Sequence, residues 1–194
     1  MTKQVVVIAG PSGSGKNAVI SALLRHDQRY VRLVTATTRA MRPGEEEGVD
    51  YYFLSQEKLD EELAAGNIPE HRFVPALNTY YGIYLPDLEK KIQAGKTVFA
   101  QVDIEGARLL KDRFNATTIF IMPESLEQFR TRLRIRNPEW SKEEFDARMK
   151  ITEEEMRVHA PQYDYRVTNA DGKLEDTVSQ VMDIMRKEGY TLES

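Results

Sequence analysis

A glycine-rich segment near the start of the chain combines residue types and spacing that could bind phosphate. Residues 10–16 read Gly-Pro-Ser-Gly-Ser-Gly-Lys. Glycine lets successive backbone N–H groups turn toward one anion, the N-terminus of a following helix adds partial positive charge, and the lysine can reach the outer phosphates of a phosphate chain. The sequence therefore predicts a phosphate-binding P-loop made of Gly10, Pro11, Ser12, Gly13, Ser14, Gly15 and Lys16.

The elements on either side of this loop support the prediction. Residues 5–9 form an apolar run that is typical of a buried strand, and residues 18–24 carry the apolar spacing of a helix. Position 17 departs from the usual motif, because Asn stands where a Ser or Thr hydroxyl normally binds Mg²⁺. An amide oxygen is a weaker ligand for the metal, so Asn17 is either a weak Mg²⁺ ligand or a cap of the helix.

Composition limits the class of protein. A chain of 194 residues fits one domain, which we expect to span 1–194. The absence of Cys excludes a disulfide scaffold, thiol catalysis and thiolate metal sites. A net charge of −4 argues against general nucleic-acid binding and favours small anionic substrates. Without a secretory start or an apolar run of membrane-spanning length, we expect a cytoplasmic protein with no membrane partner, and nothing indicates its oligomeric state.

The order of the predicted elements indicates the fold class. Strands are predicted at 5–9, 31–36, 97–102, 117–122 and 165–168, and helices at 18–24, 87–94, 105–113, 125–136 and 174–187. This alternation predicts an α/β fold with a parallel sheet covered by helices on both faces. The middle of the chain, with a helix at 55–66 and extended segments at 68–74 and 80–84, reads as a small mixed insertion. Ser141 and Glu144 predict a capping box for a helix that runs toward Val158.

A second motif follows the second predicted strand. Residues 37–45 read Thr-Thr-Arg-Ala-Met-Arg-Pro-Gly-Glu, and residues 48–53 read Gly-Val-Asp-Tyr-Tyr-Phe. Arg39 and Arg42, with a tyrosine hydroxyl nearby, could hold a terminal monophosphate, because the planar guanidinium fork matches phosphate oxygens. From the residues alone, two solvated loop arginines remain the alternative.

With these motifs the chain resembles the guanylate kinase family over nearly its whole length. The matching segments are the P-loop, the run at 37–51, Tyr80-Tyr81-Gly82, Val102-Asp103 with Gly106-Ala107, and the arginine-rich stretch 130–148. The resemblance implies a P-loop kinase with a central parallel sheet, an acceptor-binding insertion at about 37–84 and a helical lid at about 136–150. It also implies ATP-dependent phosphorylation of GMP to GDP, with Mg²⁺ bound together with ATP.

The resemblance also assigns site residues. It implies that GMP is bound by Thr35, Arg39, Arg42, Tyr51, Glu70, Tyr81, Gln101 and Asp103. For ATP it implies the P-loop, Asn17, Arg132 and Asn169, and for catalysis Lys16, Arg42, Arg136 and Arg148. The chemistry of Glu70 agrees, because one carboxylate can accept the adjacent N1–H and N2–H of guanine, which adenine lacks. An acceptor phosphate is already ionised, so no general base is needed, and the expected places of His26, His71 and His159 are the surface or the packing.

Two positions depart from the family pattern around the base. Ile83 stands where Tyr-Tyr-Gly is usually followed by Ser or Thr, and Gln101 replaces a usual acidic residue. Gln101 could compensate by donating its amide N–H to the guanine carbonyl. Together with Asn17, these departures favour a rival acceptor such as ribose bisphosphate. A non-catalytic interaction module is the other alternative, although such a module would be expected to lose Lys16 or the lid arginines.

Overall fold

The computed structural model describes residues 3–191. In these residues the strands are β1 (Val5–Ala9), β2 (Tyr30–Arg32), β3 (Ala36–Thr37), β4 (Tyr52–Phe53), β5 (His71–Val74), β6 (Thr79–Gly82), β7 (Thr97–Ala100), β8 (Thr117–Pro123) and β9 (Tyr165–Asn169). The α-helices are α1 (Lys16–Leu23), α2 (Gln56–Ala64), α3 (Leu85–Gln93), α4 (Ile104–Phe114), α5 (Leu126–Arg136), α6 (Lys142–Glu154) and α7 (Leu174–Lys187). None of these helices is both long and apolar enough to span a bilayer.

The main sheet confirms the predicted α/β class. Its order is β2-β7-β1-β8-β9, and every neighbouring pair is parallel. All five residues of the central strand β1 are buried, which explains its unbroken run of apolar residues. One face packs against α3 and α4 and the other against α1 and α7, through separate apolar clusters. Both faces of the sheet are therefore core, and the chemistry is left to the loops at the strand ends.

The single strand predicted at 31–36 is wrong. β2 ends at Arg32, and the chain resumes pairing at Ala36 in a second, four-stranded sheet of order β4-β3-β6-β5. The break comes from the backbone of Val34, whose N–H donates to Asp87 Oδ2 at 3.0 Å instead of to a neighbouring strand. This small sheet is mixed, because β3 pairs parallel with β4 and antiparallel with β6. The segment thus carries the chain from the core into the insertion.

Helices α5 and α6 share a core of their own. Phe129 and Leu133 of α5 pack against Phe145 and Met149 of α6, apart from the two clusters of the main sheet. The predicted capping box is confirmed, since the Ser141 hydroxyl accepts from the Glu144 N–H and the Glu144 carboxylate accepts from the Ser141 N–H. The regular α-helix is shorter than predicted. It passes into a π-helical turn at Glu155–His159 and a 3₁₀ turn before the chain returns to β9.

The C-terminal helix is tied to the sheet by a buried tyrosine. The Tyr190 hydroxyl donates to the Val5 carbonyl oxygen at 2.5 Å and accepts from the Thr117 N–H at 3.0 Å. These backbone groups lie at the starts of the adjacent strands β1 and β8. The Tyr190 hydroxyl therefore satisfies two buried backbone groups that water does not reach.

Replacing this tyrosine tests the tie. Tyr190→Phe should lower the free energy of unfolding by about 1–3 kcal/mol, because two buried backbone groups lose their partner. Urea unfolding monitored by circular dichroism measures the change. Tyr84→Phe is the matched control, since Tyr84 packs its ring against Tyr52 and its hydroxyl makes no hydrogen bond within residues 3–191. Equal stability losses in the two variants would contradict this role of Tyr190.

Candidate active site

A cavity of about 580 Å³ lies where the carboxyl ends of the main-sheet strands meet the face of the small sheet. The main sheet and its loops contribute Ala9, Gly10, Lys16, Gln101, Val102, Asp103, Ile104 and Phe120. The small sheet and the segments beside it contribute Thr35, Tyr51, Glu70, Arg72, Val74, Tyr81, Gly82 and Ile83. The segment after α6 contributes Glu155, His159 and Tyr163. Open parallel sheets bind ligands at this edge.

The P-loop has the shape that its glycines predict. Gly10 and Gly15 have positive φ angles of 146° and 88°. A Cβ at Gly10 would lie 2.4 Å from the Ile121 carbonyl oxygen, and one at Gly15 would lie 2.2 Å from Asn169 Nδ2. Neither position tolerates a side chain, because the loop is pressed against β8 on one side and against the end of β9 on the other.

Asn169 holds the loop from the end of β9. Its Nδ2 donates to the Ser14 carbonyl oxygen at 2.9 Å, and its Oδ1 accepts from the Thr177 hydroxyl at 3.1 Å. The second of these bonds fixes which way the amide faces, so the first can satisfy a loop carbonyl. Within the loop, the Ser14 N–H donates to the Pro11 carbonyl oxygen at 3.1 Å, so the turn is held by its own backbone as well as by Asn169.

Lys16 extends from the loop into the cavity. Its Nζ donates to the Pro11 carbonyl oxygen at 3.2 Å. Burial lowers the pKa of Lys16, the carboxylate of Glu155 opposes that shift, and the charge of Arg136 adds to it. Burial raises the pKa of Glu155. The ammonium group is therefore partly removed from water and lies near the Glu155 carboxyl group, so a phosphate would be a favourable partner.

Asn17 does not cap the helix, so the capping interpretation is wrong. Gly15 is the N-cap of α1, and Asn17 lies exposed within the first turn. The left-handed backbone at Gly15 starts the helix at Lys16, two residues too early for a cap at position 17.

The aromatic and basic residues of the insertion meet on one side of the cavity. The rings of Tyr51 and Tyr81 lie edge to face with centroids 5.7 Å apart, and the Arg39 guanidinium lies 5.4 Å from the Tyr51 centroid. Glu45 holds Arg39 in place through both carboxylate oxygens, at 2.7 and 3.0 Å. Neither Arg39 nor Arg42 lines the cavity, and Arg42 is exposed, although its backbone N–H also donates to Glu45.

The fold strongly raises the pKa of the Glu70 carboxyl group. Burial, with the nearby charges of Asp103 and Glu105, raises the pKa of Glu70 from 4.5 to about 7. A carboxylate in this state is short of hydrogen-bond donors. Asp103 is better satisfied, because its Oδ1 caps α4 by accepting from the Gly106 N–H at 3.1 Å.

The predicted lid arginines lie outside the cavity lining. Arg132 is paired with Asp171 and reaches toward the Asn169 carbonyl oxygen at 3.5 Å. Arg136 is exposed but close enough to Lys16 to affect its titration. Arg148 lies 5.7 Å from the Trp140 ring centroid, within the lid itself. Arg132, through Asn169, and Arg136, through its effect on Lys16, therefore lie near the P-loop, whereas Arg148 packs on Trp140.

Sequence reasoning missed four polar residues of the cavity lining: Arg72, Glu155, His159 and Tyr163. The placement of His159 at the surface or in packing is therefore incomplete, because this histidine also lines the cavity. Arg72 had a usable signal, since alternate residues of a strand share a face and Arg72 follows Glu70 by two. Glu155 had none, because the π-helical turn that aims it follows from the tertiary fold.

Comparison with known proteins decides the family. A family model described as guanylate kinase matches residues 2–188. The chain belongs to the guanylate kinase family. A guanylate kinase from Hahella chejuensis is 34% identical over 190 residues, which cover 97% of this chain and 88% of the relative. One from Trichormus variabilis is 38% identical over 170 residues, covering 87% and 83%.

Solved structures agree with the fold and the family. The crystal structure of guanylate kinase from Anaplasma phagocytophilum has a TM-score of 0.70 and 30% identity, and the match covers 98% of this chain and 88% of that one. The SH3-kinase fragment of tight junction protein 3 has a TM-score of 0.55 at 12% identity, which shows the fold alone. Membership confirms that the chain is an enzyme of the P-loop kinase class that binds nucleotides.

The raised pKa of Glu70 predicts a pH-dependent cost to stability. Between pH 4.5 and about 7 the unfolded chain has released the Glu70 proton while the folded chain keeps it, so stability falls as pH rises through this window. Glu70→Gln cannot ionise, so its stability relative to the parent should increase across the window and stay constant above it. We expect a gain on the order of 1 kcal/mol, because Glu70 is only half-buried and solvent screens the effect.

Urea unfolding at about pH 5 and about pH 8 measures this difference. Glu89→Gln, at an exposed position on α3, is the control and should show no such pH dependence. A Glu70→Gln variant that gains nothing between the two pH values would contradict the raised pKa.

Proposed function

We propose that this enzyme transfers the γ-phosphoryl group of ATP to GMP, giving ADP and GDP. The observation that carries the proposal is the continuity of one cavity from Lys16 of the P-loop to Glu70 and Tyr81 of the small sheet. A donor phosphate chain on the loop and an acceptor nucleotide on the sheet would then face each other in line, as phosphoryl transfer requires.

At the acceptor end, Glu70 recognises the base. Its ionised carboxylate accepts hydrogen bonds from N1–H and N2–H of guanine. The base thus supplies donors that the carboxylate lacks when no nucleotide is bound. Thr35 and Gln101 also line the cavity and would contact the base as well. The acceptor phosphate is held by Tyr51, Tyr81, Arg39 and Arg42. Asp103 lies at the same end and caps α4.

At the donor end, the amides of the P-loop and Lys16 bind the β- and γ-phosphates of ATP. Arg132 and Asn169, which meet at the end of β9, border the adenosine side. Arg136 and Arg148 of the lid, with Arg42, approach on closure and neutralise charge in the transition state. The proposed layout is one domain over 1–194, with the acceptor-binding insertion at about 37–84 and the lid at about 136–150, and closure excludes water.

The residues present fit Mg²⁺ that is bound mainly through the phosphates of ATP. Within the described residues no three His, Cys, Asp or Glu side chains cluster as a metal site. Mg²⁺ suits such a place, because it keeps several waters and binds substrate phosphates with few protein ligands. The Asn17 side chain, exposed beside Lys16, would supply an amide oxygen. When bound, the ion neutralises phosphate charge.

Two rival functions make different predictions. A ribose bisphosphate acceptor is favoured by Asn17, Ile83 and Gln101, but it has no N–H pair to satisfy Glu70. An interaction module without catalysis would have no use for Lys16, which is present and lines the cavity.

A coupled assay of ADP release tests the acceptor. With Mg²⁺ and ATP, we expect GMP to give the highest kcat/KM among GMP, dGMP, AMP, UMP, CMP and ribose bisphosphate. A site that pairs a buried carboxylate with two donors can reject an acceptor lacking them by about 10⁴-fold. Preference for ribose bisphosphate or AMP would overturn the proposal, and no turnover of any acceptor would favour the interaction module.

The division of labour between the two ends is testable at Lys16. Lys16→Ala should abolish phosphoryl transfer, because the loss of the ammonium removes charge stabilisation from the donor phosphates. Calorimetry should still show GMP binding close to that of the parent. Lys90→Ala, at an exposed position on α3, serves as the matched control for removal of one charge. An equal loss of GMP binding and of ATP binding in Lys16→Ala would contradict the assignment.

A further inference from the structure

We infer that Arg72 is a specificity-determining residue that donates hydrogen bonds to the carbonyl edge of guanine, a task for which Ile83 has no donor. This inference rests on the proposed function, because it concerns how the same cavity recognises GMP. It gives a role to a charged residue of the cavity that has none in the proposed function.

The ladder between β5 and β6 places Arg72 beside the base-recognition carboxylate. Arg72 pairs directly with Tyr81. Next to this pair, the Ile83 N–H donates to the Glu70 carbonyl oxygen at 3.2 Å. Directly opposed residues share a face of a sheet, and so do alternate residues of one strand. Glu70, Arg72, Tyr81 and Ile83 therefore form one patch, and all four line the cavity.

Ile83 leaves a polar gap in this patch. Its side chain is 1% exposed, and its Cδ1 would lie 3.1 Å from a Cβ at Gly106. An isoleucine fixed in this position excludes water and donates nothing to a carbonyl. A guanine whose N1–H and N2–H face Glu70 has its O6 next to N1, so the unmatched acceptor would fall within this patch.

Arg72 is the long donor that can reach the gap. Diagonal neighbours across two strands have Cα atoms about 7–8 Å apart, within reach of a long side chain. Arg72 is diagonal to Ile83 and two residues from Glu70. The guanidinium fork matches O6 and N7 of guanine with two parallel hydrogen bonds.

The free site leaves Arg72 available. Its ion pair with Asp103 has an N–O distance of 3.9 Å, and its side chain is 70% exposed. An ion pair this long and exposed contributes little, so giving it up costs little. The guanidinium also lowers the pKa of Glu70, which shows that the two charges are close. When guanine binds, Arg72 therefore also favours the ionised carboxylate that accepts the two N–H groups.

Gln101 is the competing donor for the same carbonyl. It follows β7 of the main sheet, and its neutral amide can donate an N–H to a carbonyl. Arg72 is favoured because it lies two residues from Glu70 on the same face and because a charge-assisted pair is stronger than a neutral one. The experiment distinguishes the two.

Steady-state kinetics with base analogues test the inference. 6-Thio-GMP keeps N1–H and N2–H but replaces O6 with a weak sulfur acceptor, and 7-deaza-GMP lacks N7. Arg72→Ala should raise KM for GMP roughly tenfold with little change in kcat, as expected for loss of a bidentate base contact. For both analogues the increase should be less than about threefold, because the bonds that the variant loses are weaker or absent in the parent.

Matched variants complete the design. Arg72→Lys keeps the charge but loses the fork, so it should resemble Arg72→Ala with GMP. Arg113→Ala, at an exposed position at the end of α4, should leave every constant unchanged. Thermal unfolding of each variant shows whether the fold is intact.

The outcomes separate the inference from the proposed function. Failure of the parent to phosphorylate GMP overturns the proposed function. If the parent uses GMP and Arg72→Ala weakens GMP and both analogues equally, Arg72 acts on the phosphate and the inference is wrong. An analogue-selective loss in Gln101→Ala, with none in Arg72→Ala, would assign the carbonyl to Gln101 and overturn the inference as well.

Discussion

The hydrogen bond from Asn169 to the Ser14 carbonyl is the interaction on which the donor end of the site depends. It joins the end of β9 to the P-loop across 155 residues of sequence. With the β8 backbone pressed against Gly10, it fixes a loop conformation that only glycine can adopt at Gly10 and Gly15. The start of α1 and the direction of Lys16 follow from that conformation, so the parallel sheet determines where a phosphate can bind.

The charges of the cavity divide it into two ends. Lys16 lies at the P-loop end, where burial lowers its pKa. Glu70 and Asp103 lie at the other end, where burial and the nearby charges of Asp103 and Glu105 raise the pKa of Glu70. A phosphate chain suits the first end and a neutral base rich in N–H groups suits the second. This arrangement explains how a protein of net charge −4 can bind anionic nucleotides.

Much of the fold could be predicted because its signals are local. The apolar run of β1, the glycines of the loop and the Ser141 capping box each have a direct cause in neighbouring residues. The split of residues 31–36 between two sheets could not be predicted, since it depends on a bond from Val34 to Asp87, 53 residues away. Likewise, no local sequence pattern indicates that Arg148 packs on Trp140. None indicates that a π-helical turn brings Glu155 near Lys16.

If one cavity binds the donor and the acceptor together, a molecule in which adenosine and guanosine are joined by five phosphates should occupy both ends at once. Calorimetry measures its affinity and the number of molecules bound per chain. Linking two ligands that occupy adjoining sites raises affinity by about 10²–10⁴-fold over either alone. We expect one molecule bound per chain, with an affinity at least about 10²-fold higher than that of ATP and of GMP. Affinity no greater than that of ATP, or two molecules bound per chain, would contradict it.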